Sequence, residues 1–555
     1  MSKAFSFNLI EEPWIPCVRA GATQPDMLGL RDVFARAGEI EEVVDPSPLV
    51  TISLHRLLLA ILHRCFGPRN AQEWAKHWKQ GAWDKGVLGQ YLTTWQARFD
   101  LFDEEYPFYQ TPGLDPDYAG TITKLTHELA SPANKALLFD HTVEGTAAFS
   151  PAQAARYLLA CQSFHVGGLV SLHRYEDKNT HKSASASPLT KGAVTLVKGI
   201  NLFGTLMLNL HQYSPASEEP FHAEPDDAPA WERDQPTSVG ERHPRGYLDL
   251  LTWQSRRILL YPETHTRDTV CVRKVTIMKG YQFPDVDERH NRETMLAFRR
   301  NEKAPMGHDP WPVIQFREGR SAWRDSLALF QSVSGQHDRP KVLTWLDELA
   351  DKELIDRSST FPLQIYGMST DQANVLFWRH ERLPLPLAYL SDEVLLGSLR
   401  LALELTEQVA GALRGGIRRL AELSLAPDSD VGGRAAHGAD VTSLASSYGV
   451  ERLYWSQLEG PFKRLLVDLE QDRHVDDPAY PEEVSYGIVE LPLWGATVGQ
   501  AAWKSFNTVT RSLNTSARDL KAAALAERQF NGQMRKLIAK EPWTPRKQVA
   551  EGETG

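Results

Sequence analysis

An aspartate beside a histidine, as at Asp140–His141 in LLFDHT, is the kind of pair that anchors a metal in a histidine–aspartate nuclease. Such a centre needs further ligands at regular spacing, and His165, His173 and His181 supply no evident pattern. The adjacent acids Asp226 and Asp227 fall in SPASEEPFHAEPDDAPA, whose composition predicts an exposed loop and solvated carboxylates rather than acid–base catalysis. The sequence contains no GxxxxGK[ST] phosphate loop, no GxGxxG after a strand, no HExxH and no GxSxG elbow. Catalysis is the weaker expectation, and no cofactor is implied.

A different chemistry is suggested by SFHVGGLVSLHRYEDKNTHKSASASPLTKG (Ser163–Gly192). The pair Gly167–Gly168 removes two side chains, so backbone amides there can approach another surface closely. The following Arg174, Lys178, Lys182, Lys191 and Lys198 are suited to positioning phosphates, with Ser and Ala between them. A tight turn followed by a solvated linker accounts for the same residues. A second basic region lies between Trp503 and Lys547, where ten Lys/Arg, including Arg528, Arg535 and Lys536, face three acids. A solvated helix face is the ordinary reading of such a run. Its contrast with a chain of net charge −10 gives weight to a phosphate-facing surface. That overall charge argues against indiscriminate nucleic-acid binding, so any such surface must be local.

The elements that would carry these residues divide near residue 390. A length of 555 residues exceeds one ordinary core, and 42% hydrophobic with 24% charged residues is a globular composition. The four cysteines (Cys17, Cys65, Cys161, Cys271) form no CxxC pair, which fits a reducing compartment and gives neither a disulfide framework nor a zinc site. The N-terminus lacks the zones of a secretory signal, and the best apolar run, LVTISLHRLLLAILHRC, is interrupted by His55, Arg56, His63 and Arg64. A cytoplasmic protein without a membrane span is expected.

Residues 1–390 read as a mixed α/β domain: a strand over Phe5–Cys17, helices over 48–66, 71–80 and 86–102, and two short strands within Gly192–Leu210. Residues 391–545 read as a four-helix bundle, with Ser391 as N-cap, a first helix through Leu420, and helices near 444–470, 494–512 and 517–540. Residues 546–555 read as a flexible tail. The fold class expected is α+β.

Several segments, in order, resemble the CasA family, the large subunit of the type I-E CRISPR surveillance complex called Cascade. They are FNLIEEPWIPC, YPFYQTPGL, QSFHVGGL with AVTLVKGINLFGTLMLNL, STDQANVLFWRHE and VERLYWSQLEGPF. The resemblance implies a non-catalytic subunit that senses the protospacer-adjacent motif of double-stranded DNA from the minor groove. It also implies that the subunit helps to start strand separation for the guide RNA and to recruit a helicase–nuclease.

Carried over residue by residue, the resemblance places Gly167 and Gly168 in the family's glycine loop. The family's loop has more glycines, and here His165 and Val166 precede the pair, so a different motif preference is expected. The minor groove is narrow and its pattern degenerate, which suits thin backbone and a few small probes. Lys279 in VTIMKGYQF matches a lysine probe, or is a solvated turn residue. Gln372 matches a glutamine wedge that would unstack the first base pair, and Asp371 stands where the family can carry an amide. PANKALLFDHT (Pro132–Thr142) matches a loop reaching the guide RNA and the motif. In it, Asn134 and Lys135 would contact nucleic acid while Leu137, Leu138 and Phe139 would dock on a neighbouring subunit. The cysteine cluster of some members is absent, with only Cys271 in that region, so no metal is expected. The alternatives are a metal-dependent nuclease using Asp140 and His141, and a purely structural ribonucleoprotein scaffold.

Overall fold

The long apolar stretch LVTISLHRLLLAILHRC becomes the helix Pro48–Phe66. It starts where the Ser47 side chain accepts from the Val50 amide with Pro48 in the first turn, and it stops at Gly67. A Cβ on Gly67 would lie 2.4 Å from the His63 carbonyl, so only glycine fits that exit. In length and composition this helix would cross a membrane, contrary to the expectation drawn from its interruptions. Almost all of it is instead buried inside the protein, as a core helix. Three of the interrupting groups find partners inside the protein, although Arg56 Nε and His63 Nε2 are buried without a hydrogen-bond partner. The Nδ1 atoms of His55 and His63 meet the carbonyls of Thr51 (2.8 Å) and Leu59 (2.9 Å) one turn back. Arg56 grips Glu293 at two points.

The computed structural model describes residues 5–129, 147–171, 182–213, 223–265, 269–284, 293–371, 374–428, 431–475, 484–513 and 516–544, apart from 306, 309, 334 and 335. They form two compact units: Met1–Glu318 with Ala328–Arg357 and Phe361–Arg382, and Gly319–Leu327 with Ser358–Thr360 and Leu383–Gly555.

In the first unit, the helix Pro151–Phe164 packs on the core helix and on a long antiparallel ribbon, Arg256–Thr264 with Val270–Lys279. Ser150 and Gln153 form a capping box and Pro151 occupies the first turn, so the start of this helix is fixed by local sequence. A second sheet has the order Asn374–Pro386, Thr360–Asp371, Val194–Val197, with Leu363 opposite Val197 and Tyr366 opposite Val194.

Three local expectations change. Gly192–Leu210 contains one strand, Val194–Val197, followed by the helix Leu202–Asn209, which begins where the Asn201 side chain accepts from the Gly204 amide at 2.8 Å. A short apolar run buried all round carries no period to separate strand from helix, and the Asn cap decided it. The N-terminal strand is Ile15–Arg19 and starts beyond Pro13, because residues 8–12 turn instead (Glu12 N–H to the Asn8 carbonyl, 2.8 Å). The helix expected over 86–102 spans Lys85–Thr94 and gives way to the 3-10 turn Gln96–Phe99. The helices Pro48–Phe66 and Ala71–Gln80 lie where the spacing put them.

The second unit is helical. Glu393–Leu425 packs against Gly438–Ser447, Val450–Gln471, Glu490–Arg511 and Ala517–Ile538. Its cap is Asp392, one residue beyond Ser391, accepting from the amides of Val394 and Leu395 at 3.0 Å each. Among the described residues, four long helices are joined by a short fifth, divided from the next at Gly449 (φ +61°), and by the small ribbon Arg473–Val475 with Val484–Tyr486. Trp494 Nε1 donates to the Ala402 carbonyl and to Thr406 Oγ1, both at 3.1 Å, and the Tyr454 hydroxyl donates to the Thr406 carbonyl at 2.9 Å. The segment Gly319–Leu327 belongs to this unit: Trp323 packs on Phe462 with ring centroids 4.4 Å apart, and Arg324 lies over the Trp455 ring.

Candidate nucleic-acid interface

Helix Pro151–Phe164 ends at His165, and the chain turns through Val166 into the glycine pair. Gly168 sits at φ +133°, a backbone region that residues with a Cβ rarely adopt. A Cβ on Gly167 would lie 3.0 Å from the Ala186 amide nitrogen, so backbone runs against backbone here. Gly168–Leu169 pairs antiparallel with Ser183–Ala184, Gly168 opposite Ala184. Val170 N–H continues the pairing to the Lys182 carbonyl at 3.0 Å. Ser171 then bridges to Met278, the residue before Lys279 at the end of the strand Val270–Lys279.

The structure therefore joins the segment of Gly167 and Gly168 to the strand end carrying Lys279, through the Ser171–Met278 bridge and through Arg256, which pairs with Lys279 and donates to the Val166 carbonyl, at one edge of the first unit. Lys279 is half-buried, and its carbonyl accepts from Arg257 Nε at 2.7 Å. Lys182 and Lys191 are exposed on the same segment. Lys198 is not available for phosphates in the expected way, because its amine lies 3.7 Å from the Glu42 carboxylate and is largely covered. Asp371 ends the strand Thr360–Asp371, exposed. Gln372, Asn134, Lys135, Leu137, Leu138, Phe139, Arg174 and Lys178 lie outside the described residues, as do Asp140, His141, His173 and His181. On the helix Ala517–Ile538, Arg528, Arg535 and Lys536 are exposed on the face opposite the buried Ala522, Ala526, Phe530 and Met534.

Two residues at the edge were not singled out by the sequence. Leu169, beside the glycine pair, is 83% exposed, although neighbouring strands could bury a leucine. Arg256, by contrast, has no exposed surface and lies beneath the turn. Gln162 holds its backbone from both sides, accepting from Arg256 N–H at 3.0 Å and donating to its carbonyl at 2.9 Å. The only available signal was Arg256–Arg257 at the head of an apolar strand, a pattern more often met on an exposed face.

His165 is half-buried, its Nδ1 2.7 Å from the Val166 carbonyl, and desolvation together with Arg256 and His127 holds its pKa well below the usual histidine range. It is a neutral packing group. Among the described residues no group of three or more His, Cys, Asp or Glu side chains is placed to hold a metal ion. Asp227 is not the solvated loop acid expected. It is 5% exposed and caps the helix Tyr247–Leu251, accepting from the amides of Leu248 and Asp249 at 2.9 Å each and from the Tyr213 hydroxyl at 2.8 Å. Asp226 stays exposed and pairs with Arg245.

A family model described as CRISPR-associated protein Cse1 matches residues 8–505. The chain is 33% identical over 548 residues to the CRISPR-associated protein CasA/Cse1 of Thermus thermophilus, covering 96% of this chain and 97% of that protein. The crystal structure of Thermus thermophilus CasA superposes with a TM-score of 0.75 at 30% identity, over 96% of this chain and 100% of the other. A chain of a solved CRISPR RNA-guided surveillance complex shares the fold, with a TM-score of 0.69 at 19% identity over 95% of this chain and 99% of that one. With a family match across most of its length and a relative one-third identical end to end, the chain belongs to the CRISPR-associated protein Cse1 (CasA) family.

Proposed function

We propose that this chain is the non-catalytic large subunit of an RNA-guided DNA-surveillance complex. In that complex it senses a short protospacer-adjacent motif in duplex DNA and helps to part the strands. The observation that carries this reading is the edge where the segment of Gly168, at a backbone angle that favours glycine, bridges through Ser171 to the strand ending in Lys279. Thin backbone and a single cation suit a narrow groove lined by acceptors and flanked by phosphates. On this reading residues 1–390 recognise the motif, Gln372 acts as the wedge with Asp371 beside it, and residues 132–142 reach the guide RNA. The bundle, residues 391–545, offers Arg528, Arg535 and Lys536 to DNA backbone. Partners are the guide RNA, the other subunits, target duplex and a helicase–nuclease, in the cytoplasm.

The test is binding of the reconstituted guide-RNA complex, with and without this subunit, to duplexes carrying a randomised flanking motif. The reading requires motif-dependent binding and strand opening to depend on the subunit. Motif-independent binding that is indifferent to Gly168→Asp would favour a scaffold role.

A further inference from the structure

The guanidinium of Arg256 has no exposed surface, and its hydrogen bonds go to neutral acceptors. Nη2 donates to the Val166 carbonyl at 3.1 Å and to the Ser185 carbonyl at 2.7 Å, and it lies 3.4 Å from His165 Nδ1. Nη1 donates to the Ser255 carbonyl at 2.9 Å. Nε is buried without a hydrogen-bond partner, and among the described residues no carboxylate pairs with the group. Burial lowers its pKa to about 10, which still leaves it charged at neutral pH. Burying a cation this way is costly, so the fold must gain something in return.

The gain is visible in which carbonyls it holds. Val166 immediately precedes Gly167–Gly168, and Ser185 immediately follows Ala184, the strand partner of Gly168. One planar fork thus ties both arms of the glycine ribbon at its base. Both arms are held by Nη2 while Nη1 of the same rigid plane is anchored on the Ser255 carbonyl; a lysine presents a point charge without that fixed plane, and a glutamine amide has no second nitrogen for the anchor. Nearby bonds brace the same base: Ser187 N–H to the His165 carbonyl at 2.9 Å and Ser187 Oγ to Ser255 Oγ at 2.7 Å.

We infer that Arg256 is a positioning residue for motif reading: its fork fixes the spacing of the two arms, and so the shape that Gly167–Gly168 present to the groove. This rests on the proposed reading of the glycine pair. Because Arg256 itself never reaches the surface, it acts on recognition only through the ribbon.

The test uses the reconstituted guide-RNA complex carrying Arg256→Met, Arg256→Lys or Gly168→Asp, each checked for assembly. The readout is the ratio of affinities for motif-bearing and motif-free duplex. Both Arg256 variants should lower that ratio roughly tenfold, the equivalent of one or two lost hydrogen bonds, with motif-free binding little changed. If Arg256→Met does not assemble, Arg256→Lys carries the test, because it keeps the charge and loses the fork. A wild-type ratio in Arg256→Lys overturns the inference. If Gly168→Asp abolishes the ratio while the Arg256 variants keep it, the bracket fails and the reading of the site stands. If Gly168→Asp also keeps the ratio, the reading itself fails.

Discussion

Arg56 and Glu293 face each other through two hydrogen bonds, at 3.0 and 3.1 Å, in a core where they are 3% and 2% exposed. The pair couples the central helix to a segment far along the chain. Removing one partner leaves an uncompensated charge inside the protein. Arg56→Met or Glu293→Gln alone is therefore expected to lower stability by about 3–5 kcal/mol. Replacing both with apolar residues should recover most of the loss. Denaturant midpoints of the two single variants and the double variant check this, and a double variant as unstable as the singles would contradict it.

Gly168→Ala is the mildest probe of the ribbon. At φ +133° an alanine is strained, and relaxing it shifts backbone that pairs with Ala184. Motif-dependent binding of the assembled complex should weaken by about tenfold or more, and Gly168→Asp should weaken it further. Unchanged binding by Gly168→Ala would mean the ribbon's shape is not read.

Leu169 separates recognition from folding. Its exposure means that Leu169→Asp should leave the unfolding free energy within about 0.5 kcal/mol of wild type. An acid placed beside phosphates should nonetheless weaken duplex binding. A variant that binds duplex as well as wild type would remove this position from the interface.

The exposed stripe of Arg528, Arg535 and Lys536 calls for a different signature. Reversing all three to Glu should weaken binding uniformly across sequences and flatten its salt dependence, because phosphate contacts carry no sequence information. The ratio between motif-bearing and motif-free duplex should hold. Titrations at several salt concentrations distinguish this from a loss of motif reading.

Acid should destabilise the first unit through its buried histidines. Burial lowers the pKa of His127 and of His211 to about 4, and His63 is pushed down by burial and by its neighbour His211. An unfolded histidine binds its proton near pH 6.5, while these folded ones do not. Their contribution is complete above about pH 6.5 and is lost as pH falls towards 4. Melting temperatures measured from pH 7 to 4.5 should fall, and His211→Phe should make the decline shallower. A slope unchanged by that variant would assign the acid response to other groups.

Much of this architecture was legible before any coordinates. The helices Pro48–Phe66 and Ala71–Gln80 announced themselves through spacing, and the bundle through its long apolar stripes. Gly167–Gly168 was visible as a place where backbone can approach another surface closely or turn tightly. Asp227 was misread because composition cannot show that a helix starts twenty residues later with amides needing an acceptor. Arg256 was invisible for a related reason. Its role depends on where Val166 and Ser185 lie in space, and sequence distance conceals that both arms of one ribbon pass above it.

The small piece Gly319–Leu327 has a consequence for how the molecule is made. Trp323 is 1% exposed against Phe462, and Arg320 and Arg324 both reach Glu407, so the helical unit carries a wedge from upstream in the chain. A ribosome releases that wedge before any bundle helix exists, and Trp323 must wait for its socket. The bundle cannot close until its own past is brought back to it, which makes its completion a late event in synthesis. A gene fragment cut at residue 391 would deliver the helices without their wedge, leaving Phe462 and Trp455 uncovered and the isolated piece prone to clumping.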